Sequence, residues 1–169
     1  MATSLADRSL QGVWTSPLER ARTTAEVVAK PHHLELTVSP EFREMAFGAW
    51  EGLTRAELAA RAPDAARTWE AEPHRVTPDG GESLADVAGR VAAAMKALRD
   101  ASGGSTVALV SHAVVIRLIV LAALGLGPDR LWTVDASPAG ITEIEYGDAW
   151  TTVHRMNTLS HLDTTVAAS

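Results

Sequence analysis

Two short apolar runs that pass straight into helix-start signals limit most strongly what this chain can fold into. Gly12-Val-Trp-Thr15 leads into Ser16-Pro17-Leu18-Glu19. Thr106-Val-Ala-Leu-Val110 leads into Ser111-His112-Ala113 and a long apolar stretch. Strand followed directly by helix, used twice, predicts helices layered on a sheet. In open sheets of this kind ligands bind beyond the carboxyl ends of the strands. Helix N-termini there present N–H groups and the positive end of the helix dipole. Arg20, in the first turn after one junction, and His112, leading the other, add charge and donors. Two unit charges about 4 Å apart interact by roughly 4 kcal/mol at an effective dielectric of about 20. Such a corner favours a phosphate over a neutral ligand.

The rest of the chain punctuates in the same style. Ser16 reads as an N-cap, with Pro17 at the first helical position and Glu19 three residues after the cap. That helix stops before Pro31. Residues 34–38 alternate as a strand, and residues 40–52 are a loop with two glycines. Thr54 and Glu57 form a capping box for a helix that ends at Arg61 and resumes after Pro63. Ser83 caps a long helix whose Leu84, Val87, Val91, Met95 and Leu98 share one face. Residues 106–110, apolar on both faces, read as a central strand covered by two layers. Residues 128–132 make a short helical turn. Residues 141–146 and 150–155 alternate as a hairpin. The polar and alanine-rich tail after Leu162 reads as frayed.

Composition removes several classes of function. A net charge of −6 argues against nucleic-acid and membrane-surface binding. With no cysteine there is no disulfide and no thiolate metal site. No apolar run reaches the length of a membrane span, and no signal-peptide pattern opens the sequence. A cytoplasmic setting is expected. His32 and His33 sit in a linker and are expected to be exposed, and His74, His154 and His161 show no metal-ligand spacing. Taken alone, Arg20 would be a surface ion-pair residue, Glu44 a solvated loop acid and Ser16 a cap rather than a nucleophile. The five tryptophans read as core or pocket lining.

The motifs change that weighting. Thr15-Ser-Pro-Leu-Glu-Arg20-Ala-Arg-Thr-Thr-Ala25 resembles the [ST]-S-P-L-x-R-A-x-x-T-A segment of the histidine phosphatase superfamily, the phosphoglycerate-mutase-like group. Glu44-Met-Ala-Phe-Gly-Ala-Trp-Glu-Gly52 resembles its E-x-x-F-G-x-W-E-G loop. Residues 78–83 resemble P-x-G-E-S with one extra residue. Val110-Ser-His-Ala113 resembles V-S-H-G with alanine for glycine. Asn157 and His161-Leu162 match a frequent ending. The resemblance covers almost the whole chain and is closest to the broad-phosphatase and ribazole-phosphatase branch.

What it implies is a single histidine-phosphatase-like domain over residues 1–169. The fold would be a three-layer α/β/α one with a mixed sheet. The activity would be a phosphomonoester hydrolysis without metal or other cofactor, on a small phosphorylated substrate. Arg20 would hold phosphoryl oxygens, with Ser16 and the Ala113 N–H as further binding groups. His112 would donate to the same oxygens. Glu44 would protonate the leaving oxygen. Residues 61–78 would cover the pocket and set specificity.

One part of the resemblance fails. Family members begin with a strand leading to R-H-G, whose histidine takes the phosphoryl group. No Arg-His pair in that order occurs in this sequence; His154-Arg155 is reversed. The domain is therefore expected to be incomplete at its N-terminus. A misplaced start or a truncation is the first explanation. Others are a phosphate-binding pseudoenzyme or scaffold and half of a split protein; a mutase-type isomerase is the alternative activity. The missing strand would lie inside the sheet, between the strand ending near His112 and the hairpin. The open edges would then close up or take a partner chain or a second copy.

Overall fold

Alternation along the strands decides the layers. In the computed structural model, which describes residues 2–162 and side chains from residue 4 onward, a short helix α1 (Ala2–Leu5) precedes strand β1 (Gly12–Thr15). Helix α2 (Glu19–Ala29) tightens into a 3-10 turn at Lys30–His32 and returns through β2 (Leu36–Val38). Helices α3 (Arg55–Arg61) and α4 (Pro63–Ala71) follow, then the long α5 (Leu84–Ser102). Strand β3 (Val107–Val110) runs into α6 (Ala113–Ala123), and β4 (Ile141–Tyr146) and β5 (Thr151–Thr158) close the order. The tail after Leu162 lies outside the described residues.

Parallel strands run β2-β1-β3, with Thr15 opposite both Val38 and Val110. Val13, Leu36, Ala108 and Val110 pack with Ala25, Val28 and Ala29 of α2. Trp14, Val107 and Leu109 face the other way, onto α5 and α6. The sheet is therefore sandwiched between helices, as the apolar runs predict. Leu84, Val87, Val91, Met95 and Leu98 are buried together on one face of α5. Both Ser83 and Thr54 make complete capping boxes, with Asp86 and Glu57 respectively. No helix among the described residues is long and apolar enough to cross a membrane.

The strand order follows the expected gap, and one expectation changes. Among the described residues β4 and β5 pair only with each other, as an antiparallel hairpin apart from the parallel sheet. Strand β3 is covered on both faces, but it stands at the edge of its sheet instead of at the centre. The break falls where the resemblance places an additional strand. Apolar runs report covering layers and carry no information about lateral pairing, so the run alone read as central, while the motif resemblance placed an open edge there. The tryptophans also divide. Trp14 packs against the core, Trp50, Trp69 and Trp132 line a cavity, and Trp150 at the hairpin turn is 82% exposed.

Candidate active site

The site begins where β1 ends. Ser16 N–H donates to the Val110 carbonyl at 3.1 Å, so pairing with β3 continues one step past Thr15. The chain cannot turn helical until that step is complete. Helix α2 accordingly starts at Glu19, with Leu18 at the N-cap and no capping side chain. The expected Ser16 cap is thus corrected. Its Oγ accepts from the Leu18 N–H at 3.2 Å and shares a 2.7 Å hydrogen bond with His112 Nε2. Thr15, Ser16 and His112 are the buried polar residues of this corner. A tertiary partner has claimed the hydroxyl that local sequence assigned to a helix end.

His112 closes the second junction as the N-cap of α6. Burial, and then the positive charges of Arg20 and Arg90, push its pKa down to about 4. The ring is therefore neutral at neutral pH. A base does sit beside Ser16, contrary to expectation, but it is a weak one. No acidic side chain hydrogen-bonds to the His112 ring among the described residues, so the pair lacks the orienting acid of a serine triad. Ala113, where the family pattern has glycine, is the first residue of α6 and is absent from the positive-φ positions, so its Cβ causes no strain.

Glu44 enters from the loop after β2. Its Oε1 accepts from the Met45 N–H at 2.9 Å, and its Oε2 lies 3.5 Å from the Val114 N–H at the start of α6. Burial pushes this carboxyl above its usual range. The two backbone N–H groups, Arg20 and Arg90 pull it only part of the way back. Arg20 is exposed on the first turn of α2, and its guanidinium makes no hydrogen bond or ion pair among the described residues. Its charge is nonetheless felt by both Glu44 and His112. The structure thus gathers Ser16, Arg20, Glu44 and His112 at the carboxyl end of the sheet, with Ala113 on the adjoining helix turn.

Sequence reasoning missed what holds Glu44 there. Arg90 is buried on α5, with its side chain 9% exposed. Its Nε and Nη2 donate to the two oxygens of Glu82 at 2.8 and 2.9 Å. Its remaining donors reach the carbonyls of Arg43 at 2.9 Å and Glu44 at 3.3 Å. Glu82 also accepts from Arg43 Nη2 at 2.9 Å and from the Ala46 N–H at 3.0 Å. Burial alone would raise the Glu82 pKa; the Arg90 and Ala46 hydrogen bonds and the charges of Arg90 and Arg43 overcome it and hold the carboxyl below its usual range. Glycines let the two loops meet. A Cβ on Gly48, which sits at φ +49, would strike the Asp79 carbonyl, and Ala49 N–H donates to that same carbonyl at 2.9 Å. Arg90 lies between Val87 and Val91 on the helix, beside the apolar face. A cation in that position has to find acceptors, and that was the available signal.

Among the described residues, no group of three or more His, Asp or Glu side chains is placed to hold a metal ion. Comparison with known proteins agrees with the motif order. Residues 1–159 match the histidine phosphatase superfamily (branch 1), and the chain belongs to that family. It is 31% identical over 162 residues to phosphoserine phosphatase 1 of Hydrogenobacter thermophilus, covering 96% of this chain and 77% of that protein. It is 36% identical over 154 residues to the bifunctional protein Rv2228c of Mycobacterium tuberculosis, covering 90% of this chain but only 42% of that longer one. The solved structure of Bacillus stearothermophilus YhfR superposes with a TM-score of 0.89 at 29% identity, over 96% of this chain and 81% of that one. A mycobacterial glucosyl-3-phosphoglycerate phosphatase complexed with VO3 superposes with a TM-score of 0.84 at 27% identity, over 94% and 81%.

Proposed function

We propose that this chain carries the phosphate-binding and proton-donating part of a phosphomonoester hydrolase site for a small phosphorylated substrate. One observation carries the reading. Arg20, Glu44 and His112 converge where β1 and β3 end, with Glu44 on the Met45 and Val114 N–H groups and His112 Nε2 2.7 Å from Ser16 Oγ, and there burial drives Glu44 toward holding a proton while its neighbour Glu82 is held toward losing one. Such a split separates an acid catalyst from a structural anion. Arg20 would clamp two phosphoryl oxygens. His112 would exchange its Ser16 contact for a third, with Ser16 Oγ and the Ala113 N–H completing the cradle. As the phosphorus–oxygen bond breaks, the Glu44 proton passes to the departing alcohol. Glu44 then takes a proton from the water that attacks phosphorus. Arg20 supplies the positive charge and the neutral His112 ring a donor N–H, so the chemistry is read as metal-independent.

The first step needs a nucleophile, and none of the residues brought together here is placed for it. We assign that role to a histidine on a strand seated between β3 and the β4–β5 hairpin. Two features favour such a strand. One is the unpaired outer edge of β3. The other is that, among the described residues, β4 and β5 pair only with each other. The same polypeptide or a second chain could supply it.

The test has two parts. Inorganic phosphate titrated calorimetrically into the chain should bind, and Arg20→Ala should weaken it by about tenfold or more, as for loss of a charged hydrogen bond. Turnover of an aryl phosphate should stay at the buffer rate until an extended segment ending in Arg-His-Gly is supplied, as a peptide or a fusion. Turnover by the chain alone that His112→Ala abolishes would overturn the assignment of the nucleophile. Phosphate binding that no added strand converts into turnover would identify a phosphate-binding protein without chemistry.

A further inference from the structure

Ser16 and His112 meet where both main chains are anchored. Ser16 N–H is committed to the Val110 carbonyl at 3.1 Å, and the Ser16 carbonyl accepts from Thr15 Oγ1 at 3.2 Å. His112 is the N-cap of α6, and its carbonyl takes the Ile116 N–H at 2.8 Å. The 2.7 Å contact between Ser16 Oγ and His112 Nε2 therefore joins two fixed strand ends. The direction in which that hydrogen bond runs decides what the ring can do.

Counting hydrogens fixes the direction. Ser16 is 0% exposed. Its Oγ accepts from the Leu18 N–H at 3.2 Å, and His112 is its one other partner among the described residues. If Nε2 carried a proton, Oγ would accept twice and the hydroxyl hydrogen would have neither an acceptor nor access to solvent. A buried donor left unpaired disfavours that arrangement by about tenfold or more. In the reverse arrangement the hydroxyl donates to Nε2 and every polar hydrogen of the pair is used. The ring is neutral at pH 7, so its single proton then sits on Nδ1.

The surroundings of Nδ1 are different. It makes no hydrogen bond among the described residues. The ring nitrogens there that are buried without a partner are Nε2 of His32, despite its linker position, and Nε2 of His161. His112 Nδ1 is not one of them, so it is open to solvent. An anion arriving on that side meets an N–H in one tautomer and a repelling lone pair in the other.

We propose that Ser16 is a positioning residue that sets the tautomer of His112: its hydroxyl, donated to Nε2, keeps the ring proton on Nδ1, where it is offered to a phosphoryl oxygen. The proposal rests on the phosphomonoesterase reading. It gives the contact assigned to His112 a definite atom. When the ring exchanges Ser16 for phosphate, the proton is already on the nitrogen that donates, and none has to move.

The tautomer is measurable without turnover. Long-range 1H–15N correlation spectra of the 15N-labelled chain at pH 7 distinguish protonated from bare ring nitrogens, and His112→Gln identifies the His112 signals. The free chain should hold at least about nine-tenths of this ring as the Nδ1–H form. Ser16→Ala should lose that fixed pattern, with both nitrogens moving toward averaged shifts, and Ser16→Thr should restore it. If Ser16→Ala fails to fold, the wild-type Ser16 hydroxyl proton decides: it should exchange slowly and show a nuclear Overhauser effect to the His112 ring. On saturation with inorganic phosphate, Nδ1–H should shift and stay protonated. A free ring protonated on Nε2, a pattern unchanged in Ser16→Ala, or a proton that moves to Nε2 with phosphate overturns the proposal and leaves the phosphate site standing. Failure of inorganic phosphate to bind overturns the phosphomonoesterase reading and the role given to this proton together.

Discussion

The loop that carries Glu44 and the β4–β5 hairpin both lie outside the parallel sheet, and they are held by opposite means. The loop is fixed by buried charge: Arg90 spans Glu82 and the carbonyls of residues 41, 43 and 44. Phe42 is fully buried beneath it, and Ser111 Oγ ties the Phe42 carbonyl to the end of β3 at 2.8 Å. The hairpin has exposed pairs instead, Arg8 with Glu143 at 3.3 Å and His154 with Glu145 at 2.8 Å, and it rests on the partly buried Ile144 and Tyr146. Two placements of charge thus do different work. Buried pairs set geometry around the acid, where small displacements matter to chemistry. Exposed pairs leave the hairpin attached with little electrostatic commitment, on the side where β3 is open.

Removing the buried cation is the strongest challenge to that contrast. Arg90→Ala strands Glu82 in a pocket where its side chain is only 16% exposed. Breaking a buried pair from one side costs about 3–5 kcal/mol, to be read from urea unfolding at pH 7. A cost below about 1 kcal/mol would put Arg90 in the same class as the surface pairs and end the contrast. Glu82→Gln should cost less, since the amide still accepts from Arg90.

The intermediate effect lies at His112. The unfolded chain protonates this ring near 6.5, the folded chain only near 4. Between those values the unfolded state binds the extra proton. Stability therefore falls as pH drops through the window and levels off beneath it. With allowance for solvent screening the loss is about 1–2 kcal/mol. Glu44 acts in the opposite direction: its raised pKa lets the folded state take its proton first as pH falls. Comparing wild type with His112→Gln at pH 7 and pH 4.5 isolates the histidine. If the variant loses as much stability on acidification as the wild type, the depressed pKa is not the cause.

What the sequence disclosed follows the range of each interaction. Capping boxes at Ser83 and Thr54 and the apolar face of α5 depend on neighbours three or four residues away, and they appear as expected. The ordered motifs pointed to one corner, and Ser16, Arg20, Glu44 and His112 do converge there. Ser16 was misread because His112, 96 residues away, competes for its hydroxyl. Arg90 was passed over because its acceptors lie on two separate loops, one 8 and the other 46–49 residues distant. The edge position of β3 was legible only through the missing R-H-G strand, because an apolar run looks the same whether the strand has one lateral partner or two.

The smallest effect should come from the hairpin. Glu143 pairs with Arg8 and, at 3.9 Å, with Arg155, and all three side chains are at least 41% exposed. Glu143→Gln removes both attractions and leaves the packing of Ile144 untouched. Exposed pairs contribute about 0–1 kcal/mol, and salt screens them further. Unfolding free energies of variant and wild type should therefore differ by less than about 1 kcal/mol in dilute buffer and converge in about 1 M salt. A loss of several kcal/mol that salt does not reduce would mean the hairpin is anchored as firmly as the Glu44 loop. A strand would then have to displace a fixed element to reach the β3 edge, and the place assigned to the nucleophile would have to be sought elsewhere.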